Sequence, residues 1–237
     1  MRLAIFVVIF LAVITLFLNR SYAHIYSTIN TVNLPNPNLK SAAIGIGPEL
    51  KYVALGDSLT AGVGVTNFQE TYPYLFAEAL PNSVTLINLA NPGVTSKEVL
   101  QNQVNQALAE KPDLITILIG TNDIHNLVSP ERFGENYSQI IGQLNNTGAK
   151  IVLINIPYLG APSLVYFPYN YLLNFRINQF NQVIEQLAAT NHLGFIDLYS
   201  KTYSQFSSSD QFYTKDLFHP NQKGYILIQQ IINDSYH

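Results

Sequence analysis

Three residues of the chain have the types and the spacing that acyl transfer requires. Acyl transfer needs a nucleophile, a base that takes its proton, a group that orients the base, and donors for the oxyanion. Ser58 follows a buried apolar run within Gly56-Asp57-Ser58-Leu59 and is the candidate nucleophile. His219 is the candidate base, and Asp216 precedes it by three residues, so that a tight turn can return the carboxylate to the histidine Nδ1–H. This pattern predicts nucleophilic attack by Ser58 on a carbonyl group.

Three groups are candidate donors to the oxyanion. They are the backbone N–H of Ser58, the backbone N–H of Gly93 and the side-chain amide of Asn122. Gly93 is followed by Thr95-Ser96-Lys97-Glu98, a capping-box pattern that begins a helix and adds positive dipole character near the glycine. We therefore predict an oxyanion hole formed by Ser58, Gly93 and Asn122.

The elements that must position these residues alternate along the chain. Short apolar runs rich in β-branched residues predict five strands, over Tyr52–Leu55, Val84–Leu89, Leu114–Ile119, Ile151–Ile156 and Phe195–Leu198. Segments of helical period lie between them, after Gly93 and over Gln69–Leu80, Glu131–Leu144, Asn170–Ala189 and Asn221–Ile232. This alternation predicts an α/β fold with a mainly parallel five-stranded sheet and helices on both faces. Because ligands of such sheets bind beyond the carboxyl ends of the strands, the candidate residues should meet at one edge.

Composition excludes several classes of protein. The chain has 237 residues, no cysteine and a hydrophobic fraction of 48%, which excludes a disulfide scaffold and extensive disorder. Its net charge is −3, without a lysine or arginine run, so nucleic acid is not an expected partner. No H-E-x-x-H motif, EF-hand loop or P-loop occurs, and no metal site is predicted.

The N-terminus predicts a targeting segment. Leu3–Leu18 is a near-unbroken apolar run, which favours either a signal peptide cleaved after Ala23 or a retained membrane anchor over residues 3–18, with a buried helix of a soluble protein as the third alternative. Either of the two favoured outcomes places the rest of the chain outside the cytoplasm. We predict residues 1–23 as this signal or anchor, residues 24–50 as a linker and residues 51–237 as the catalytic domain.

Together these motifs resemble the SGNH, or GDSL, family of serine esterases and lipases. The resemblance runs from about Tyr52 to Ile232 and includes Gly56-Asp57-Ser58-Leu59, Gly93, Gly120-Thr121-Asn122-Asp123 and Asp216-Leu217-Phe218-His219-Pro220. It implies a three-layer α/β/α fold similar to flavodoxin, no cofactor, and hydrolysis of esters or thioesters. It also implies the roles already assigned to Ser58, Gly93, Asn122, Asp216 and His219. Pro92, before the glycine, departs from many members of the family.

The substrate is the least constrained part of the prediction. An aromatic segment between the fourth strand and the next helix is expected to line the acyl or leaving-group pocket, with packing over the sheet edge as the alternative; its residues are Tyr166, Phe167, Tyr169 and Tyr171. We expect an exported serine hydrolase of lysophospholipase or esterase type that acts on lipid-derived or small acyl esters. The alternatives are an O-acetyl esterase of a cell-envelope glycan and a binding module that kept the fold without turnover.

Overall fold

The structure, a computed structural model, describes residues 2–236 and contains one mixed sheet between two layers of helices. Its strands are β1 Ser41–Ile44, β2 Glu49–Gly56, β3 Ser83–Asn88, β4 Leu114–Leu118, β5 Lys150–Ile154 and β6 Gly194–Ile196. Its helices are α1 Arg2–Thr31, α2 Ser58–Ala61, α3 Tyr72–Ala79, α4 Ser96–Glu98, α5 Val104–Glu110, α6 Thr121–His125, α7 Pro130–Leu144, α8 Tyr169–Thr190, α9 Leu198–Phe206 and α10 Gln222–Tyr236. A π-helical turn, Val99–Gln103, joins α4 to α5.

The sheet has the strand order β1-β3-β2-β4-β5-β6. All neighbouring strands are parallel except β1, which pairs antiparallel with β3 at one edge. The predicted α/β class and the mainly parallel sheet are confirmed, with six strands in place of the expected five. β1 was not predicted, because its four residues include two alanines and only one β-branched residue of the kind typical of a buried strand.

Alternation along the strands divides the core into two clusters. On β2, Val53 and Leu55 face the layer that contains α1, α5, α7 and α8, whereas Tyr52 and Ala54 face α3, α9 and α10. Successive side chains of a strand point to opposite faces, so one buried strand serves both layers. This three-layer arrangement leaves the carboxyl ends of β2, β4 and their neighbours free to present loops at one edge.

The N-terminal region differs from the expected linker. α1 continues past Ala23 to Thr31, since no proline or glycine interrupts it before Pro35 and its buried residues Ser21 and Ile25 pack against the domain. β1 then places part of the expected 24–50 linker within the sheet. Over Ile5–Thr31, α1 is long and apolar enough to cross a membrane, by length and composition. It is the one such helix among residues 2–236.

Candidate active site

The turn after β2 presents Ser58 at the carboxyl edge of the sheet. Gly56 ends the strand, and a side chain there would lie 2.3 Å from both the Leu118 carbonyl oxygen and Thr60 Oγ1, so the close approach of the two strands requires glycine. Asp57 caps α2 by accepting a hydrogen bond from the Leu59 N–H, at 3.1 Å. Ser58, the first residue of α2, is buried except for 6% of its surface.

His219 connects Ser58 to Asp216. Its Nε2 lies 3.0 Å from Ser58 Oγ, and its Nδ1 lies 2.6 Å from Asp216 Oδ2. The structure therefore brings together the predicted nucleophile, base and orienting carboxylate. Ser58 and His219 are 161 positions apart in the sequence. This is the geometry in which a histidine can take the serine proton through Nε2 while Nδ1–H donates to a carboxylate.

Asp216 is fully buried and is held by hydrogen bonds from its own turn. Its Oδ1 accepts hydrogen bonds from the Thr214 hydroxyl at 2.6 Å and from the backbone N–H groups of Phe218 and His219 at 2.9 Å each. Burial raises the pKa of this carboxyl, but the hydrogen bonds and the charge of His219 outweigh burial and hold the pKa below its usual value. The carboxylate is thus ionised where it contacts His219.

The candidate oxyanion donors lie around the same cavity. Gly93 and Asn122 line it together with Ser58 and His219, and its volume is about 500 Å³. The φ angle of Gly93 is +82°, in the left-handed region that favours glycine. Asn122 Nδ2 donates one hydrogen bond to the Val94 carbonyl at 3.0 Å; an amide nitrogen carries two hydrogens, so a second remains for a ligand.

A polar network around Asp123 fixes the Gly93 loop to α6, through partners that the sequence does not identify. Asp123 Oδ2 accepts from the Ser96 N–H at 2.8 Å, and Asp123 Oδ1 accepts from the Ser96 hydroxyl at 2.6 Å. Asn136 of α7 donates to the same hydroxyl at 3.0 Å. Because Asp123 follows Asn122 directly, this network sets the position of Gly93 relative to the Asn122 amide.

Gln103 is a second residue that the sequence reasoning missed. Its side-chain amide accepts from the Gly56 N–H at 3.0 Å and donates to the Gly56 carbonyl at 2.9 Å, both in the buried interior. These two bonds satisfy the last backbone groups of β2, immediately before the nucleophile turn. A lone glutamine within an amphipathic helix has no sequence signal that predicts this contact.

His125 also lines the cavity, with a neutral ring. Burial, and to a smaller extent the charge of His219, lowers its pKa to about 4. Among the residues that the structure describes, its buried Nε2 has no hydrogen-bond partner, and its ring lies 5.2 Å from that of Phe218. His125 thus places a buried ring nitrogen without a protein partner at the wall of the cavity that contains the candidate nucleophile.

The aromatic residues that were predicted to line the substrate pocket lie elsewhere in the structure. The residues that line the cavity do not include Tyr166, Phe167, Tyr169 or Tyr171. Tyr169, the first residue of α8, is buried in the core, while Phe167 and Tyr171 are exposed with their rings in edge-to-face contact. The wall expected from this segment comes instead from α1 and the chain after it, through Tyr26, Ile29, Asn30, Val32, Leu34 and Asn36. Within the first turn of α8, Tyr169 faces the core and Tyr171 faces outward.

Among the residues that the structure describes, no cluster of three or more histidine or acidic side chains could hold a metal ion. The polar side chains that line the cavity include those of Ser58 and His219, the amide of Asn122 and the ring of His125, with further amides from Asn30, Asn36 and Asn126. They can perform acid–base chemistry and stabilise an oxyanion.

Comparison with known proteins identifies the family to which the chain belongs. Residues 54–227 match the model of the GDSL-like lipase/acylhydrolase family. A spore germination lipase of Bacillus licheniformis is 29% identical over 201 residues, which cover 74% of this chain and 91% of that protein. The crystal structure of a lipase/acylhydrolase from Enterococcus faecalis has a TM-score of 0.64 at 29% identity, covering 78% of this chain and 94% of that one.

A more distant structure shares the fold. The acetylxylan esterase Axe2 of Geobacillus stearothermophilus, in a catalytic mutant, has a TM-score of 0.66 at 17% identity and covers 82% of this chain and 96% of its own. The family match spans every element that carries Ser58, Gly93, Asn122, Asp216 and His219. The chain belongs to the GDSL-like lipase/acylhydrolase family and is an esterase- or lipase-type hydrolase.

Proposed function

We propose that this hydrolase cleaves carboxylic esters through a covalent acyl intermediate on Ser58. The observation that carries the proposal is the continuous hydrogen-bonded chain from Ser58 Oγ through His219 to Asp216, at 3.0 and 2.6 Å. In this chain His219 accepts the serine proton at Nε2, and Asp216 keeps the other ring nitrogen protonated and stabilises the imidazolium. The residue roles expected from the motifs are thereby supported by a geometry in which they can act together.

The two half-reactions use the same groups in reverse order. Ser58 Oγ attacks the ester carbonyl carbon as His219 takes the proton, and the carbonyl oxygen becomes an oxyanion that accepts from the N–H groups of Ser58 and Gly93 and from the Asn122 amide. The tetrahedral intermediate expels the alcohol, which takes the proton from His219. A water molecule then attacks the acyl carbon as His219 takes its proton. The second tetrahedral intermediate breaks its bond to Ser58 Oγ, which receives that proton from His219, and the carboxylic acid is released.

The walls of the cavity favour a substrate with an apolar acyl chain. Apolar side chains from both the N-terminal region and the catalytic turns line it, namely Ile29, Val32, Leu34, Val63 and Phe218. Apolar surface binds an acyl chain by the hydrophobic effect, and the polar side chains of the same cavity, Asn30, Asn36 and Asn126 among them, can contact the polar part of the substrate. We infer that the substrate is a lipid-derived or small acyl ester, of the lysophospholipase or esterase type.

We also place the active site outside the cytoplasm. The apolar N-terminal helix supports this, because a segment of this hydrophobicity near the N-terminus directs a chain into export whether or not it is later removed. The absence of cysteine is compatible with an oxidising compartment.

Labelling by a fluorophosphonate probe tests the mechanism. The full-length chain in mild detergent should be labelled, the label should vanish in Ser58→Ala, and it should fall sharply in His219→Ala. Ser208→Ala is the matched control, since Ser208 is exposed and its hydroxyl bonds only to the Gln205 carbonyl. A folded wild-type chain without label would contradict the proposal and favour the non-catalytic binding module.

Substrate preference tests the acyl specificity. Turnover of a lysophospholipid should exceed release of acetate from an acetylated polysaccharide at equal ester concentration. The Geobacillus neighbour is an acetylxylan esterase and shares the fold, so the reverse order would favour O-deacetylation of a cell-envelope glycan by the same triad.

A further inference from the structure

α1 has two halves with different surroundings. From Ile5 to Val13 its side chains are exposed all round the helix. From Leu18 onward, residues three or four positions apart turn toward the domain, and Leu18, Tyr22, Ile25 and Ile29 belong to or pack against the core cluster of α7 and α8. A helix that is apolar on every side needs an apolar environment, so the first half requires a partner that the described protein does not supply.

The second half of α1 is part of the active-site wall. Tyr26 and Ile29 line the cavity at Ser58, and the Tyr22 hydroxyl donates to the His125 carbonyl at 3.1 Å. Beyond the helix, the Pro35 carbonyl accepts from the Gly64 N–H at 2.9 Å, next to the nucleophile turn. The N-terminal region is thus attached to both sides of the cleft.

Cleavage after Ala23 would remove half of this attachment. It would remove Leu18, Ser21 and Tyr22, all buried or packed against the domain, and leave a helix over 24–31. The remaining helix would keep Ile25 and Ile29 against the core, but it is shorter than the about 12–15 residues that an isolated helix needs in water, so it would depend on those contacts. The packing therefore favours an α1 that stays whole.

The apolar run is slightly shorter than the hydrocarbon core of a bilayer and leaves no spacer before the domain. The 16 residues of Leu3–Leu18 rise about 24 Å as a helix, against a hydrocarbon thickness of about 30 Å. Arg20 then lies at the headgroup level, where its charge can reach water. Since contacts with the domain begin at Leu18, the domain must lie directly on the membrane surface.

Exposed apolar side chains surround the place where α1 meets the domain. We call Leu127, Phe167, Tyr171 and Phe175 the membrane patch; their exposed fractions are 73%, 72%, 70% and 60%. Leu127 shares a surface hollow with Tyr22 and Tyr26 of α1, and α8, which carries two of the aromatic rings, packs against α1. Aromatic rings concentrate at the boundary between hydrocarbon and headgroups.

The charges near this surface predict binding by apolar insertion. Arg20 is the one lysine or arginine in positions 16–30, and Arg176 is the one in positions 160–176. The Arg176 guanidinium donates to the Val128 carbonyl at 2.7 Å, so part of its donor capacity is used within the protein. Attraction to anionic lipids needs a cluster of several lysines or arginines, and these segments have none.

We propose that α1 is retained as a membrane anchor and holds the active-site cleft against a lipid bilayer, with the membrane patch at the headgroup level. The cleft then opens beside its supply of acyl esters, so the substrate is an amphiphile resident in that bilayer. This last step rests on the proposed esterase function, whereas the position of the domain on the membrane does not.

Single-tryptophan fluorescence tests the position of the domain, because the chain has no tryptophan of its own. The full-length variants Phe167→Trp and Tyr171→Trp place the reporter on the membrane patch. Ile226→Trp is the control, exposed on α10 in the helix layer on the opposite side of the sheet. Each variant is reconstituted into phosphatidylcholine vesicles, with and without bromine on the acyl chains, at low and at raised salt.

We expect blue-shifted emission and quenching by the brominated lipid at both patch positions, no quenching at Ile226→Trp, and no release by salt. Equal behaviour of all three variants, or release by salt, would overturn the proposal. So would an intact mass beginning at His24 for the protein recovered from its expression host. Fluorophosphonate labelling of the same vesicles reports on Ser58 alone, which separates failure of the membrane placement from failure of the chemistry.

Discussion

Asp216 shows how one turn can orient a catalytic histidine. Its carboxylate accepts hydrogen bonds from the Thr214 hydroxyl, from the N–H groups of Phe218 and His219, and from the His219 ring. Three of these donors hold the carboxylate independently of the ring. The carboxylate therefore presents one oxygen to Nδ1 in a fixed direction, and the ring presents Nε2 to Ser58.

Asp216→Asn should lower kcat by about 10⁴-fold with little change in KM, because an amide in this place favours the wrong histidine tautomer. Thr214→Val removes one of the carboxylate's supports and should cause a much smaller loss. Both are measured with a short-chain p-nitrophenyl ester. Comparable losses in the two variants, with folding intact, would mean that the orientation of the carboxylate matters more than its charge.

Asp57 caps α2, and its burial disfavours the charged form of its carboxyl group. It is fully buried, and one of its oxygens has no hydrogen-bond partner among the described residues. Burial chiefly, with a contribution from the charge of Asp123, raises its pKa to about 7. The folded state binds this proton more tightly than the unfolded state does, so the stabilisation is complete below about pH 4 and is lost as the pH rises through about 7.

Asp57→Asn should therefore gain stability relative to the wild type as the pH rises from about 5 to about 8. Asparagine keeps the oxygen that accepts from the Leu59 N–H, so the cap of α2 is preserved. Urea midpoints of both chains at the two pH values measure the difference. The titration of His125 is present in both chains and cancels. A difference that does not vary with pH would show that Asp57 is not protonated on folding.

Among the elements, α1 and the π-helical turn Val99–Gln103 contribute to the active site in ways that their own sequences do not predict. The π turn directs Gln103 to the end of β2, where it satisfies both backbone groups of Gly56. α1 supplies the cavity wall through Tyr26 and Ile29. Both elements shape the site by supporting or covering the segments that carry the triad, and neither belongs to a motif of the family.

Ile29→Trp should shift the acyl preference toward short chains, because the larger side chain fills the part of the cavity next to α1. We expect the ratio of kcat/KM for octanoyl to acetyl esters to fall about tenfold or more. Ser27→Trp adds the same bulk at an exposed position of the same helix and should leave the ratio unchanged. An unchanged ratio in Ile29→Trp would exclude α1 from the acyl-binding wall.

At the scale of the whole molecule, parallel strand order explains why distant motifs meet. β2 and β4 are neighbours in the sheet, so the loops after them carry Ser58 and Asn122 to the same edge. β3 lies on the other side of β2 and carries the Gly93 loop there as well. Ligand sites beyond the carboxyl ends of parallel strands follow from this topology.

The topology in the membrane can be tested with a single cysteine, because the chain has none. Ser208→Cys places a thiol at an exposed position of the catalytic domain. A membrane-impermeant maleimide should label it in intact spheroplasts as strongly as after lysis, since we place the domain outside the cytoplasm. Labelling that requires lysis would contradict export.

The predictable part of the site depends on residue type and local order. Ser58, Gly93, Asn122, Asp216 and His219 could be named because each follows a strand or precedes a helix, and strands and helices leave periodic patterns in a sequence. The alternation of those patterns also predicted the α/β sheet, with β1 missed because it is short and rich in alanine. The prediction of a signal peptide or membrane anchor over Leu3–Leu18 likewise depends on composition alone.

Contacts between distant residues could be known only from the tertiary structure. The Ser96–Asp123–Asn136 network, the clamp of Gln103 on Gly56 and the wall formed by α1 each join positions far apart in the chain. Local periodicity shows that a side chain is buried or exposed, but not which surface it meets. The sequence by itself therefore determined which residues could do the chemistry and on which kind of sheet. The packing of the helices against that sheet decided the distances between those residues and what surrounds the substrate cavity.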